Sequence, residues 1–173
     1  MASYLQGGNR TIVKKDFLII ATLLATIVSL LIINSRVNTF LTDLTPQAVR
    51  TTKVEINNLE ITAEVATTPQ TRSKGLAGRE NLAPNSGMLF VFETDNRYKF
   101  WMKDVKFPLD IIWIGKDKRI VDISPNAQPE PDVPDNLLRI YQSAIPVKYV
   151  LEVLGGTAVA ANLRIGDLVE SEL

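Results

Sequence analysis

The run Phe17–Ile33, FLIIATLLATIVSLLII, carries no charge along its whole length. As a helix rising about 1.5 Å per residue it spans roughly 25 Å, close to the ~30 Å hydrocarbon layer of a bilayer. A helix that is apolar on every side must be surrounded by apolar matter, and Lys15 and Arg36 can snorkel outward to lengthen the span. We therefore expect a tail at 1–16, a membrane anchor at 17–35, a linker at 36–52 and a separate body at 53–173. A cleaved signal peptide is the rival reading. Against it, the run is longer than a usual signal core and Asn34–Phe40 offers no small-residue cleavage site.

Orientation follows from charge. Arg10, Lys14 and Lys15 precede the run, while Arg36 and the distant Arg50 follow it, which favours a cytoplasmic N-terminus. The expectation is a single-pass membrane protein with its body outside the cytoplasm, in a periplasm or on an outer surface. Thr22, Thr26 and Ser29 share a stripe of the helix. They form either a packing face for another helix or hydroxyls bonded to carbonyls one turn back.

Up to Gln47 the chain has four basic and two acidic residues; beyond it stand fifteen basic and seventeen acidic ones. A near-neutral body without a basic run lacks the footprint of a nucleic-acid binder, so no nucleic-acid partner is expected. The chain has no Cys and no His. That removes thiol chemistry, His-based nucleophile activation and zinc sites of the usual kind. No cofactor and no metal are called for.

In the body, Gly87–Ile114 is the apolar centre, with runs at Met88–Phe92, Phe100–Met102 and Leu109–Ile114 that read as strands. Asn57-Asn58 between Val54–Ile56 and Leu59–Val65 predicts a hairpin. Thr68 before Pro69 predicts a helix start, and Gly75 its end. Gly115–Lys118 turns into a strand at Ile120–Ile123. Ser124–Asn136, with four prolines, reads as a long loop. Tyr149–Leu154 and Leu168–Glu170 complete the strands, with a short helix within Thr157–Leu163.

The words TRSKGLAGRENLAPNSGMLFVF, FWMKDVKFPLDIIWI, YVLEVLGG and IGD stand in that order from Thr71 onward. Together they closely resemble the family called domain of unknown function 192 (DUF192), over about Val54 to Val169. The resemblance implies a mainly β body and brings no activity with it. The expected fold is a compact antiparallel β-sandwich or partly open barrel with one or two short helices, preceded by one transmembrane helix.

Arg72, Arg79, Lys103, Asp110, Glu152 and Asp167 form the candidate polar cluster. They are read either as a ligand site or as ion pairs that fix the helix on the sheet, the arginines pairing with Asp110, Glu152 or Asp167. Asp110 and Glu152 are acids embedded in strands and could act as general acid and base or bind a hard cation. Trp101, Trp113 and Tyr141 could supply a stacking platform; aromatics in strands are more often core. The expected function is a non-catalytic ligand- or protein-binding accessory module of the cell envelope, its partner an envelope protein or a small molecule. Alternatives are a carboxylate-based, hydrolase-like enzyme using Asp110 and Glu152, with glycans or a divalent cation among its options, and a structural protein assembling through its membrane helix.

Overall fold

The computed structural model describes the backbone of residues 10–44 and 49–172, and the side chains of 16–37 and 49–172. Most of the expected tail (1–9), the middle of the linker (45–48) and the side chains of Arg10, Lys14 and Lys15 lie outside the described residues. The chain divides into two units, Met1–Ala48 and Val49–Leu173.

The described part of the first unit is one helix, α1 (Arg10–Leu44), longer than the apolar run alone requires. Within it Asp16–Val37 is long and apolar enough to cross a membrane. Its large side chains are uncovered by protein all round, Phe17 at 73% exposure and Ile27 at 52%. The hydroxyls of Thr22 and Thr26 donate to the Ile19 and Leu23 carbonyls at 2.8 Å, the bland one of the two readings.

The second unit is one seven-stranded curled sheet, a half-barrel. The strands are β1 (Thr51–Ile56), β2 (Leu59–Ala66), β3 (Ser86–Asn96), β4 (Leu109–Ile114), β5 (Ile120–Ala127), β6 (Val147–Leu154) and β7 (Val169–Ser171). They lie in the order β5-β4-β6-β3-β2-β1-β7. Of the two architectures expected this is the partly open barrel. Its outer strands curl until Arg119 and Leu168 form a bridge.

Neighbours pair antiparallel except β2 and β3, which run parallel with Thr62 opposite Ser86. Parallel strands need a crossover, and α2 (Pro69–Lys74) supplies it. Its start is as expected. Thr68 accepts from the Thr71 amide, Thr71 bonds back to the Thr68 amide, and Pro69 opens the first turn. Its end is Gly75 at φ 50°, ψ −135°, a backbone region open to glycine.

The two faces of the sheet bury two cores. All seven strands contribute to the inner one, from Val54 and Ile61 through Ile112 and Leu151 to Ile120 and Val169, capped by Ala158 and Leu163 beside α3 (Thr157–Ala160). Only β3, β4, β5 and β6 with β2's Ala66 supply strand residues to the outer one. There Phe90, Ile111, Trp113 and Val150 are covered by Leu76, Met102, Phe107 and Tyr141 from the connections. Two expectations change. Phe100–Met102 is no strand: Phe100 exchanges backbone hydrogen bonds with Tyr141 and the chain then turns at Asp104 (φ 57°). β5 reaches Ala127, so the expected loop begins later; Pro125 is tolerated because β5 is the sheet's edge.

Candidate functional site

β6 lies between β3 and β4, with Glu152 opposite Met88 on one side and Ile111 on the other. Period two sends Leu151 and Val153 to the inner core and Glu152 outward with Val150 and Leu154. Gly87 lets β3 come this close. A Cβ there would sit 2.6 Å from the Glu152 carbonyl oxygen, closer than real Cβ atoms approach.

Glu152 is 5% exposed. No hydrogen bond or ion pair reaches its carboxyl, and no sealed side-chain oxygen among the described residues lacks a partner, so that the carboxyl faces open space. That space is a cleft of about 220 Å³ on the outer face. Phe90, Phe92, Tyr98, Phe100 and Trp101 wall it, and Arg72, Lys74, Lys99 and Lys103 stand around it. Burial pushes the Glu152 carboxyl up to about 8, none of these cations being paired with it, so at neutral pH it is a neutral acid able to donate a hydrogen bond.

The walls are set by local packing. Phe92 and Tyr98 stack with centroids 3.5 Å apart at 12°, and the Tyr98 hydroxyl donates to the Thr94 carbonyl at 2.6 Å. Phe100 packs edge-on against Phe90 and Trp113. Arg72 lies 5.1 Å over the Phe92 ring and gives one nitrogen to the Thr67 and Val91 carbonyls. Trp101 is 45% exposed, a large aromatic surface left to solvent at the mouth.

The other candidates lie elsewhere or are already engaged. Asp110 projects from β4 into the inner face, so it and Glu152 are on opposite sides of the sheet and form no acid–base pair. Its carboxylate accepts from the Asn126, Gly156 and Ala158 amides at 2.7, 3.1 and 2.7 Å, which ties β5 and the start of α3 to β4. Arg79 pairs with Glu64, two bonds of 2.6 Å that draw the Glu64 carboxyl below and the guanidinium above their usual ranges. Neither arginine meets Asp110, Glu152 or Asp167. Asp167 accepts from Asn57 and the Arg164 amide at the turn before β7. Lys103 pairs with Asp135 at 2.5 Å on the surface.

Trp113 is fully buried, its indole N–H on Ser124, and Tyr141 is core under Arg139. Arg72, Lys103, Glu152 and Trp101 are thus the candidates that one cleft gathers. Phe92, Tyr98 and Lys99 belong with them and went unread, although the alternation ending β3 hinted at Phe92. Among the described residues no three His, Cys, Asp or Glu come together as a metal site would need.

The profile of DUF192, a family described as an uncharacterized ACR, matches residues 51–171. The chain belongs to the DUF192 family. No curated protein matches it. Solved structures to which the chain is similar include two bacterial proteins. One, from Sinorhizobium meliloti 1021 and described as a "putative transcription regulator", has 32% identity and a TM-score of 0.65, covering 72% of this chain and 96% of that one. The other, a protein of unknown function from Novosphingobium aromaticivorans DSM 12444, has 30% identity and a TM-score of 0.62, covering 73% and 88%. DUF192 thus accounts for the whole sheet unit and leaves α1 outside the matched region.

Proposed function

We propose that this protein is a ligand-binding accessory module held at a membrane by α1, its binding site the cleft over Glu152. The observation that carries the reading is the Glu152 carboxyl itself, 5% exposed and unpartnered at the floor of that cleft. A carboxyl at the floor of an aromatic-walled cleft, with no donor of this chain aimed at it, is placed to bond to a small molecule that enters the cleft. Binding rather than hydrolysis fits because the cleft holds one acid, and the expected second one, Asp110, is spent on three amides across the sheet.

The membrane part rests on Asp16–Val37, and a body outside the cytoplasm, in the cell envelope, on the basic residues before that span. The description of the Sinorhizobium protein would suggest nucleic acid, but a sheet unit with more acidic than basic residues gives that partner little to bind.

The test uses the full chain in detergent, labelled with 5-fluorotryptophan. Its two indoles separate the site from the core: Trp101 is at the cleft, Trp113 sealed beneath it. A library of acidic, neutral and basic ring compounds is expected to contain members that move the Trp101 resonance and leave Trp113 in place. A library that moves neither indole ends this reading.

A further inference from the structure

We infer that the cleft takes a six-membered ring bearing a carboxylate, the ring laid on Trp101 and the negative charge met by Arg72, Lys99 and Lys103. The inference rests on the binding reading above and narrows it to one class of ligand.

Size sets the first limit. About 220 Å³ is below the ~300–1,000 Å³ usual for drug-sized ligands, which leaves room for one ring and its substituents. Chemistry sets the second. The exposed face of Trp101 and the other aromatic walls favour a flat or ring-shaped body.

Charge decides the rest. Arg72, Lys74, Lys99 and Lys103 line the cleft against a single acid, Glu152. Lys99 has no ion pair or hydrogen bond through its side chain, and Arg72 commits one nitrogen to carbonyls and leaves its other donors open. Lys103 is held only by an exposed partner, Asp135. A cationic ligand would meet four like charges. A carboxylate would meet opposite ones, and the Glu152 floor, neutral below pH 8, can donate to it rather than repel it.

Glu152's strand neighbours Met88 and Ile111 are apolar, and the ionisable groups facing it are Arg72, Lys74, Tyr98, Lys99 and Lys103. Raising the pH past 8 charges the floor and should expel the anion.

The probes are sodium glucuronate and sodium benzoate, with glucose, glucosamine and inorganic phosphate as controls, read by the Trp101 resonance of the full chain. Glucuronate or benzoate should bind at least about tenfold more tightly than glucose or glucosamine, a difference near 1.4 kcal/mol. Which acid binds better tells a sugar acid from an aromatic one. Lys99→Ala, exposed and unpaired, should weaken that binding about tenfold with Trp113 unmoved. In the Glu152→Gln protein the affinities measured at pH 7 and at pH 9 should be the same, whereas the parent's falls above pH 8.

Glucose or glucosamine matching the acids would overturn the inference and leave the cleft a binding site, so the broader reading survives. Phosphate matching them overturns the need for a ring. An unchanged affinity in Lys99→Ala overturns the charge argument. Silence of Trp101 toward every probe overturns the inference, and silence toward the wider library as well removes both readings.

Discussion

Asp110 and Glu152 sit on neighbouring strands, one residue out of register, and are buried almost equally, at 0% and 5% exposure. They differ in everything else. Asp110 faces the inside of the curl and has three amide donors, so its burial is compensated and its charge organises two chain segments. Glu152 faces outward and has none. Burial alone therefore says little about what an acid does; the count of donors aimed at it says much more. The first acid is architecture, and the second makes no bond within the chain.

The comparison breaks most visibly at Asp110. Asp110→Ala orphans three amides and unties α3 and the end of β5, with an expected loss of about 3–5 kcal/mol in denaturant unfolding. Asp110→Asn should recover only part of this, because its amide nitrogen presents a donor where donors already point. A loss under about 1 kcal/mol in the alanine variant would mean that the amides find other partners, and the contrast with Glu152 would collapse.

Glu152 should behave in the opposite sense. Its folded value near 8 lies above the ordinary 4.5, so between those values the folded protein holds a proton that the unfolded chain has released. Stability is therefore highest below pH 4.5 as far as this group is concerned. It falls by at most about 1.4 kcal/mol per pH unit up to 8 and is flat beyond. Glu152→Gln should flatten that slope, and at pH 9 should be more stable than the parent by on the order of 2–4 kcal/mol. Melting curves of both proteins from pH 4.5 to 9 decide it; parallel curves would show that the carboxyl is ionised after all. Glu64 works the other way below 4.5, since Arg79 lowers it and its contribution is lost as acid protonates it.

Arg79 and Glu64 form an intermediate case, a half-buried pair with both ends satisfied. Either alanine substitution should cost about 1 kcal/mol, and the double substitution little more than one alone. Additive losses would mean that the two residues act through other contacts.

Much of this was readable from local chemistry. A hairpin at Asn57 (φ 54°), a helix capped by Thr68 and ended at Gly75, and a turn at Gly115–Lys118 are each specified by a few adjacent residues. The parallel pairing of β2 and β3 was not readable, because β2's alternation looks the same beside either kind of neighbour. The partners of Arg79 and Arg72 depend on that pairing and on where α2 crosses, so neither the Glu64 pair nor the Val91 carbonyl could be foreseen. Phe100–Met102 has strand composition, yet Phe100 bonds to one distant residue, Tyr141, and the Met102 carbonyl already accepts from Val105 in a turn. Glu152 could be picked out as a charge in an apolar strand; the cleft above it is made where two connections, 67–85 and 97–108, meet, which no window of sequence contains.

The smallest effect is expected at Lys103, and it sharpens the contrast from the solvent side. Its pair with Asp135 is short, 2.5 Å, but its side chain is 43% exposed and that of Asp135 72%. Two long-reaching charges in water gain little from each other after solvation and side-chain entropy are counted. Lys103→Ala should leave the melting temperature unchanged at 0.15 M salt, and 1 M salt should not separate variant from parent. A short distance would then have decided nothing at the surface, just as near-complete burial decides nothing at Glu152 until its donors are counted. A clear drop in melting temperature would instead make Lys103 a brace between the cleft wall and the 129–138 segment across the neighbouring groove. It would then be a weaker candidate for meeting a ligand's charge, because its ammonium could not leave Asp135 without loosening that wall.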